Sequence, residues 1–312
     1  MEPFTSVHLP LPDERVGKVR VSYALSGERR LFVTTDRLSA FDRIIRGVPY
    51  KGQVLNQLAA WWFEQTRDIV DNHLLSTPDP NVTIGISAVP LPVEVVVRGY
   101  ITGVTSTSLW RQYHDGARML YGYRFPDGLE KNTVLAEALI TPTTKAEAGG
   151  HDEPLTCADV VDRGLVEAAL WDRVQAVALD LFARGQQVAA AAGLILADTK
   201  YEFGLAADGG LLLIDEVHTP DSSRLWVKSS YAERLAVGED PESLDKEPIR
   251  QALQHAGYTG EGAPPPLDEA VWTETTRRYE SAYTRITGRA FEPGGYPVGE
   301  RLRGTFSRGE LA

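Results

Sequence analysis

Leu194 to His218 reads LILADTKYEFGLAADGGLLLIDEVH, and the fold turns on how this stretch pairs with itself. Two strand-like runs, Leu194–Leu205 and Gly210–His218, flank Asp208-Gly209, a dipeptide suited to a tight hairpin because both residues tolerate positive φ. With those two residues as the turn, Glu202 stands directly opposite Asp215. Side chains alternate along a strand, so Asp198, Lys200 and Glu202 share a face, and Asp215 joins it from the neighbouring strand. Two opposed carboxylates repel unless a proton or cation lies between them. A hard divalent ion such as Mg²⁺, held by one or two carboxylates and completed by phosphate oxygens, meets that need. The competing reading is a surface pair neutralised by Lys200, and a one-residue slip in the turn breaks the pairing.

Upstream, Leu170, Val174, Val177, Leu181 and Val188 mark one face of a long amphipathic helix ending at Gly193, and Thr156 with Asp159 forms a capping-box pair ahead of it. Near the start, Val19, Val21, Tyr23 and Leu25 alternate with Arg20, Ser22 and Ala24, the period of a half-buried strand. Ser26-Gly27 then turns the chain into a second strand, Leu31–Thr35. Val54, Leu55, Leu58, Trp61 and Trp62 predict a helix from about Gln53 to Gln65, and the β-branched runs Val82–Ile86 and Val93–Val97 follow. Beyond a Pro-rich stretch from Ala263, a further helix is expected over Val271–Ile286. A β-rich unit followed by mixed helices and strands predicts an α+β fold of two lobes, with a ligand site in the cleft between them.

The chain has 312 residues and a formal net charge of −11, which disfavours nucleic acid as a partner because a phosphate backbone rewards clustered Lys and Arg. A small anionic ligand remains compatible, provided a cleft concentrates basic groups locally. Cys157 is the sole cysteine, which excludes an intrachain disulfide or a Cys-based zinc cluster, and the six histidines form no H-E-x-x-H pair. The longest stretch without Asp, Glu, Lys or Arg runs only from Pro80 to Val93, too short for a membrane span. Met1-Glu2-Pro3-Phe4 lacks the basic and apolar regions of a secretory signal, so a soluble, cytoplasmic protein is expected.

Several polar segments flank the strands. Gly17-Lys18-Val19-Arg20 offers close backbone approach and two cations to a phosphate, although a basic strand edge that discourages aggregation explains it equally well. Neither a Walker nor a Rossmann glycine pattern is present. Asp36 and Ser39 crowd the end of the second strand, and Lys51 sits at a helix entrance, where a cation does not serve the dipole. Arg98 closes an apolar strand ahead of a run of glycines and hydroxyls that includes Ser108. Lys145 and His151 precede the long helix. Asp221 and Arg224 lie just past the hairpin, where an arginine can fork onto a phosphate and an Asp-Ser turn can equally cap local backbone.

In order, GKVR at 17–20, TTDRLSAFD at 34–42, KG at 51–52, VRGYITG at 97–103, TPTTKAE at 141–147, HDE at 151–153, ADTKYEFG at 197–204 and DEVHTPDSSRLW at 215–226 resemble the SAICAR synthetase (phosphoribosylaminoimidazole-succinocarboxamide synthase) family of purine biosynthesis. Asp245, Lys246 and Arg250 resemble its DK…R segment. The resemblance implies a two-lobed α+β fold distantly similar to ATP-grasp and kinase-like architectures. A nucleotide-covering lobe would span residues 1–92 and a larger lobe, with the substrate and metal sites and a helical extension, residues 93–312. It implies an ATP-dependent ligase that joins L-aspartate to the carboxylate of CAIR, 5-amino-1-(5-phosphoribosyl)imidazole-4-carboxylate, through an acyl phosphate, giving ADP and phosphate.

Position by position, the resemblance puts Gly17, Lys18, Val19 and Arg20 over the ATP phosphates and makes Glu202 and Asp215 the Mg²⁺ carboxylates, with Lys200 beside them as the third member of the catalytic set. Arg98, Ser108, Asp221 and Arg224 match CAIR-holding positions. Asp36, Ser39 and Lys51 line the same cleft, and Lys145 and His151 fall on the aspartate side. Val21 stands where the family usually carries Asp, and the stretch after about Thr287 matches no family string. Two other classes use the same cleft: a non-catalytic sensor of nucleotides or purine intermediates, and a small-molecule kinase. Coupled ADP release with CAIR, with and without aspartate, separates all three.

Overall fold

The computed structural model describes residues 2–145 and 152–306. The helices that organise it are α1 (Lys51–Gln65), α2 (Ala168–Ala191), α3 (Glu247–His255), α4 (Glu269–Thr287) and α5 (Val298–Phe306). The expected helices are thus present, α1 and α4 with slightly wider limits and α2 ending at Ala191, two residues short of Gly193, and the Thr156–Asp159 capping box forms as read.

Strands β1 (Arg20–Leu25), β2 (Arg29–Thr34), β3 (Leu74–Asp79) and β4 (Val82–Ile86) join the short Arg15–Val16 strand in an antiparallel five-stranded sheet. Its order is Arg15–Val16, β1, β2, β4, β3. The alternation read in β1 holds: Val21 and Tyr23 are buried, whereas Arg20 and Ser22 are half-buried. Val21 therefore points into the core of this lobe, with Leu31, Val33 and Val82, while Val19 and Arg20 face the cleft. The departure from the family's Asp at Val21 lies in packing and not on the cleft wall.

Past Thr287 the chain returns to this first sheet. Val298, Leu302 and Phe306 of α5 share one apolar cluster with Phe4, Val7 and Leu9 from the N-terminal stretch. Arg301 forks onto Asp79, with Nε 2.7 Å from Oδ2 and Nη2 2.9 Å from Oδ1. The planar guanidinium matches a carboxylate in this bidentate manner, which fixes orientation as well as distance.

The second sheet is centred on β7 (Leu194–Leu205), whose two edges are both paired. One edge takes β5 (Val93–Tyr100), on which β6 (Val134–Ile140) then pairs. The other edge takes β8 (Leu211–Ile214) and, further along, β9 (Ser223–Val227). Helix α2 packs on β7 and β5 through Trp171, Val174, Ala178, Leu181 and Phe182, all buried, of which Val174, Leu181 and Phe182 contribute about 2 kcal/mol each of hydrophobic stabilisation. Gly185 lets it approach: a Cβ there would sit 2.5 Å from the His218 ring and 2.6 Å from Leu196.

The hairpin register differs from expectation by one residue. Ala206 and Gly210 close a three-residue loop, Ala207-Asp208-Gly209, in which Gly209 has φ 84° and Asp208 Oδ1 accepts the Gly210 N–H. Glu202 therefore pairs with Ile214, not Asp215. The second strand also stops at Ile214 and does not run on to His218. Asp215 adopts φ 69°, a left-handed conformation that turns the chain off the sheet, and the excursion rejoins β7 at Ser223. Asp215, Glu216 and Asp221 lie on that excursion, above the middle of β7.

Candidate active site

A cleft of about 580 Å³ opens over β7, walled by residues of both sheets. Along β7 its floor presents Asp198, Lys200 and Glu202, the shared face expected from alternation. The adjacent β5 contributes Glu94, Val96 and Arg98 by the same period of two, so Glu94 is a cleft residue that reading the Val93–Val97 run as merely apolar missed.

At the Glu202 end, cations and carboxylates alternate. Lys200 Nζ donates to Glu202, lies 3.3 Å from Glu94 Oε1 and stands 3.6 Å from Asp215 Oδ2. Lys145 donates to the other oxygen of Glu202, and Arg20 donates to Asp215 and, at 3.3 Å, to Glu216. Asp215 thus meets Glu202 through a shared lysine, because the left-handed turn swings its carboxylate back over β7 after the register slip has taken it out of the opposed position. Burial raises the Asp215 pKa, but Arg20, then Lys200 and Lys145, more than offset it and hold the carboxyl below the usual range. Burial likewise disfavours charge on Lys200, yet Glu202, Glu94 and Asp215 together keep it protonated well past its ordinary value. Glu94 is pushed up, chiefly by burial.

Gly17, Lys18, Val19 and Arg20 rim this end. Arg37, buried, donates from Nη2 to the carbonyls of Gly17 (2.9 Å) and Arg20 (3.3 Å), and Thr35 Oγ1 donates to that of Val19 at 2.6 Å, so the turn is pinned from behind. Lys18 is half exposed and paired with Asp42 at 2.6 Å.

At the Asp198 end, guanidinium groups converge. Asp198 Oδ2 accepts from Arg224 (2.6 Å) and Arg98 (3.3 Å), and Glu247 Oε2 accepts from Arg224 (3.2 Å) and Arg250 (3.0 Å). Arg98 is further tied to Thr141 and to the Thr107 carbonyl. Burial disfavours the Arg224 charge, but Asp198, Glu247 and Asp245 reverse that and raise its pKa. Lys246 immediately precedes α3 and stands 4.0 Å from Asp221, its pKa lowered to about 8 chiefly by burial. Neither Glu247 nor the availability of Arg250, the most open of the three arginines at 20% side-chain exposure, was legible as part of this cluster.

Of the remaining expected residues, Ser39, Asp221 and Lys145 line the cleft. Asp36, Lys51 and Ser108 do not: they stand behind its wall. Asp36 accepts from the N–H groups of Phe4 (2.8 Å) and Gly52 (2.9 Å) and from the Tyr296 hydroxyl (2.7 Å), which ties the N-terminal stretch, the entrance of α1 and the C-terminal segment together. Lys51 is fully buried, its Nζ 2.8 Å from Asp221 Oδ2, and the Ser108 hydroxyl donates to the Thr105 carbonyl at 2.6 Å. His151 lies outside the described residues.

Among the described residues, no group of three or more His, Cys, Asp or Glu is arranged to hold a metal ion unaided. Glu202 and Asp215 nevertheless suit Mg²⁺, which takes one or two carboxylates and fills its remaining positions with phosphate oxygens and water. Their present partners, Lys200, Lys145 and Arg20, show that this wall already holds cations against both groups.

A cleft between two lobes, floored by carboxylates and a lysine of one strand and flanked by arginines from the two neighbouring strands and α3, defines an α+β enzyme that handles anionic substrates. The SAICAR synthetase family profile matches residues 14–265. A phosphoribosylaminoimidazole-succinocarboxamide synthase of Legionella pneumophila (strain Lens) is 48% identical over 304 residues, covering 96% of each chain. The SAICAR synthase of Saccharomyces cerevisiae, solved in complex with SAICAR, superposes with a TM-score of 0.79 at 32% identity over 93% of this chain and 100% of that one. A SAICAR synthetase solved with ADP has the same fold at 21% identity, with a TM-score of 0.69 over 90% of this chain and all of its own. The chain belongs to the SAICAR synthetase family.

Proposed function

We propose that this chain is the ATP-dependent ligase that joins L-aspartate to the carboxylate of CAIR, yielding SAICAR, ADP and phosphate. The observation that carries the reading is the pairing, on one strand face, of an exchangeable carboxylate–lysine group with a fixed arginine cluster, in a chain nearly half identical to synthases of that name. A carboxylate is a poor electrophile. Transfer of the ATP γ-phosphoryl group to it creates a leaving group, and attack of the aspartate amine on the acyl carbon then expels phosphate. Such chemistry asks a protein chiefly for positioning and charge neutralisation.

Gly17 to Arg20 cover the ATP phosphates from the first lobe, with the turn held rigid by Arg37. Lys200 is placed to neutralise charge on the transferred group, and its carboxylate neighbours keep it protonated. Glu202 and Asp215 would hold Mg²⁺, which supplies neutralisation of phosphate charge when bound. Arg224, Arg98 and Arg250 face the CAIR phosphate end, with Arg250 and Lys246 having the freer side chains. Lys145 lies on the aspartate side.

The test is coupled ADP release with CAIR, with and without aspartate, alongside direct detection of the succinocarboxamide product. Aspartate-dependent ADP formation with stoichiometric product supports the ligase. ADP at full rate with no amide product overturns it in favour of a kinase, and binding without turnover favours a sensor.

A further inference from the structure

Asp221 is held from behind the cleft by a helix that begins beyond the family-matched residues. Helix α4 starts at Glu269, whereas the match ends at residue 265. It packs against α1, and its Tyr279, fully buried, donates its hydroxyl to Asp221 Oδ1 at 2.6 Å. The other oxygen, Oδ2, accepts from Lys51 Nζ at 2.8 Å, and that ammonium lies 5.9 Å from the centre of the Tyr279 ring. Asp221 itself lines the cleft.

A carboxylate held by a lysine alone can rotate about its terminal bond and exchange oxygens, because an ammonium is a point charge with no preferred plane. A second donor on the opposite oxygen removes that freedom. Each carboxylate oxygen carries two acceptor sites, so one engaged on each still leaves an acceptor for a ligand in a fixed direction. Burial first, and then the Asp221 charge, raise the phenol's pKa, so the hydroxyl remains a donor throughout the physiological range.

We propose that Tyr279 is a positioning residue for the imidazole-nucleotide substrate: it orients the Asp221 carboxylate so that its free acceptor meets a hydroxyl or amino donor of that substrate. This rests on the reading of Asp221 as a substrate contact. It assigns to α4 a direct part in substrate affinity, in addition to its packing.

The experiment compares four full-length variants, Tyr279→Phe, Asp221→Asn, the double variant, and Thr276→Val as a packing control on the same helix. The Thr276 hydroxyl donates to the Pro49 carbonyl, at 3.4 Å. KM for CAIR, KM for ATP, kcat and melting temperature are measured for each. Tyr279→Phe removes one hydroxyl and keeps the ring, and loss of a hydrogen bond to a charged acceptor is expected to raise KM for CAIR about tenfold with KM for ATP unchanged. The double variant should bind CAIR no worse than Asp221→Asn, since the tyrosine acts only through that carboxylate.

An unchanged CAIR KM in Tyr279→Phe, with a raised one in Asp221→Asn, overturns the inference and leaves the reading of Asp221 standing. No change in either variant removes Asp221 from the substrate site, and the inference falls with it. Additive losses in the double variant, or an equal rise in Thr276→Val, make Tyr279 a packing residue and overturn the inference.

Discussion

Asp198 and Glu202 lie on one face of the same strand, about 13 Å apart at roughly 3.3 Å per residue, yet they occupy opposite kinds of environment. Around Asp198 the charged side chains are locked, Arg250 at 20% exposure being the loosest: Arg98, Arg224 and Glu247 are at most 10% exposed, and both terminal nitrogens of Arg224 are held by carboxylates. Around Glu202 the groups are looser, with Asp215 26% and Lys145 41% exposed, and Glu202 is held by two lysines while Asp215 is held by Arg20 and, at 3.6 Å, by Lys200. The desolvation cost of the arginine cluster is met once, on folding, by a fixed lattice of ion pairs. At the other end, the Lys200 and Lys145 ammonium groups and the Arg20 guanidinium occupy the two carboxylates proposed to hold a divalent cation. Under the proposed function, the rigid end would seat a substrate by its phosphate and the looser end would take the cation while a phosphoryl group moves.

The sharpest way to break this contrast is Asp198→Asn. Removing the charge leaves two buried guanidinium groups with one weakened acceptor between them, and breaking a buried pair in this way costs about 3–5 kcal/mol. A fall of roughly 10 °C or more in melting temperature is expected. A stability near wild type would mean that the cluster is not a fixed element.

Glu202→Gln and Asp215→Asn probe the exchangeable end and should show the reverse pattern. Turnover with saturating Mg²⁺ is expected to fall by about a hundred- to a thousandfold, the range for loss of one electrostatic stabiliser. Melting temperature should move by only a few degrees, because partly exposed ion pairs contribute about 1 kcal/mol or less. The two carboxylates do not repel across a strand pair, since each is neutralised by its own cation, so no gain in stability is expected from removing one. Near-normal turnover in a folded variant would remove the metal role from that residue.

A smaller effect belongs to Arg224→Lys. Lysine can keep one of the two links to Asp198 and Glu247 but not both, so the seat loosens without losing its charge. KM for CAIR should rise about tenfold with KM for ATP unchanged. Equal losses for both substrates would detach Arg224 from the CAIR site.

How much of this was legible follows from how far apart in sequence the parts lie. Asp198, Lys200 and Glu202 sit within one strand, where a period of two is enough to put them on one face. The same rule applied to β5 would have found Glu94 beside Arg98. Asp215 was placed opposite Glu202 for the wrong reason: Asp-Gly suits a two-residue loop, but only Gly209 takes positive φ, and the resulting three-residue loop shifts the register by one. What brings Asp215 back to the site is its own left-handed φ, for which the sequence carries no plain signal. Asp36 and Lys51 look like cleft residues because they are polar and closely spaced. Their partners, Tyr296 and Asp221, come from far along the chain, and only the folded structure shows that those partners consume their hydrogen bonds.

The finest test concerns Lys246, which stands at the fixed end but behaves like neither. Its ammonium is buried, 4.0 Å from Asp221 and close enough to Arg250 and Lys51 to feel both, and burial is the main cause that brings its pKa down to about 8. The sign follows from the depressed value. The unfolded chain binds this proton more tightly than the folded one, so this group alone makes the protein more stable as pH rises from about 8 towards the ordinary lysine value of 10.5. Substrate affinity should move the other way. As Lys246 loses its charge above about pH 8, one cation leaves the end of the cleft proposed to take the CAIR phosphate, and KM for CAIR should climb by a few fold between pH 7 and 9, as loss of about 1 kcal/mol of attraction implies. KM for ATP, read in the same assays, serves as the internal reference. Arg replaces the titrating group with one that stays charged throughout that range, so Lys246→Arg should flatten the CAIR profile while leaving its value at pH 7 near wild type. A profile that keeps its slope in Lys246→Arg would assign the titration to another group and leave Lys246 as part of the locked lattice around Asp221.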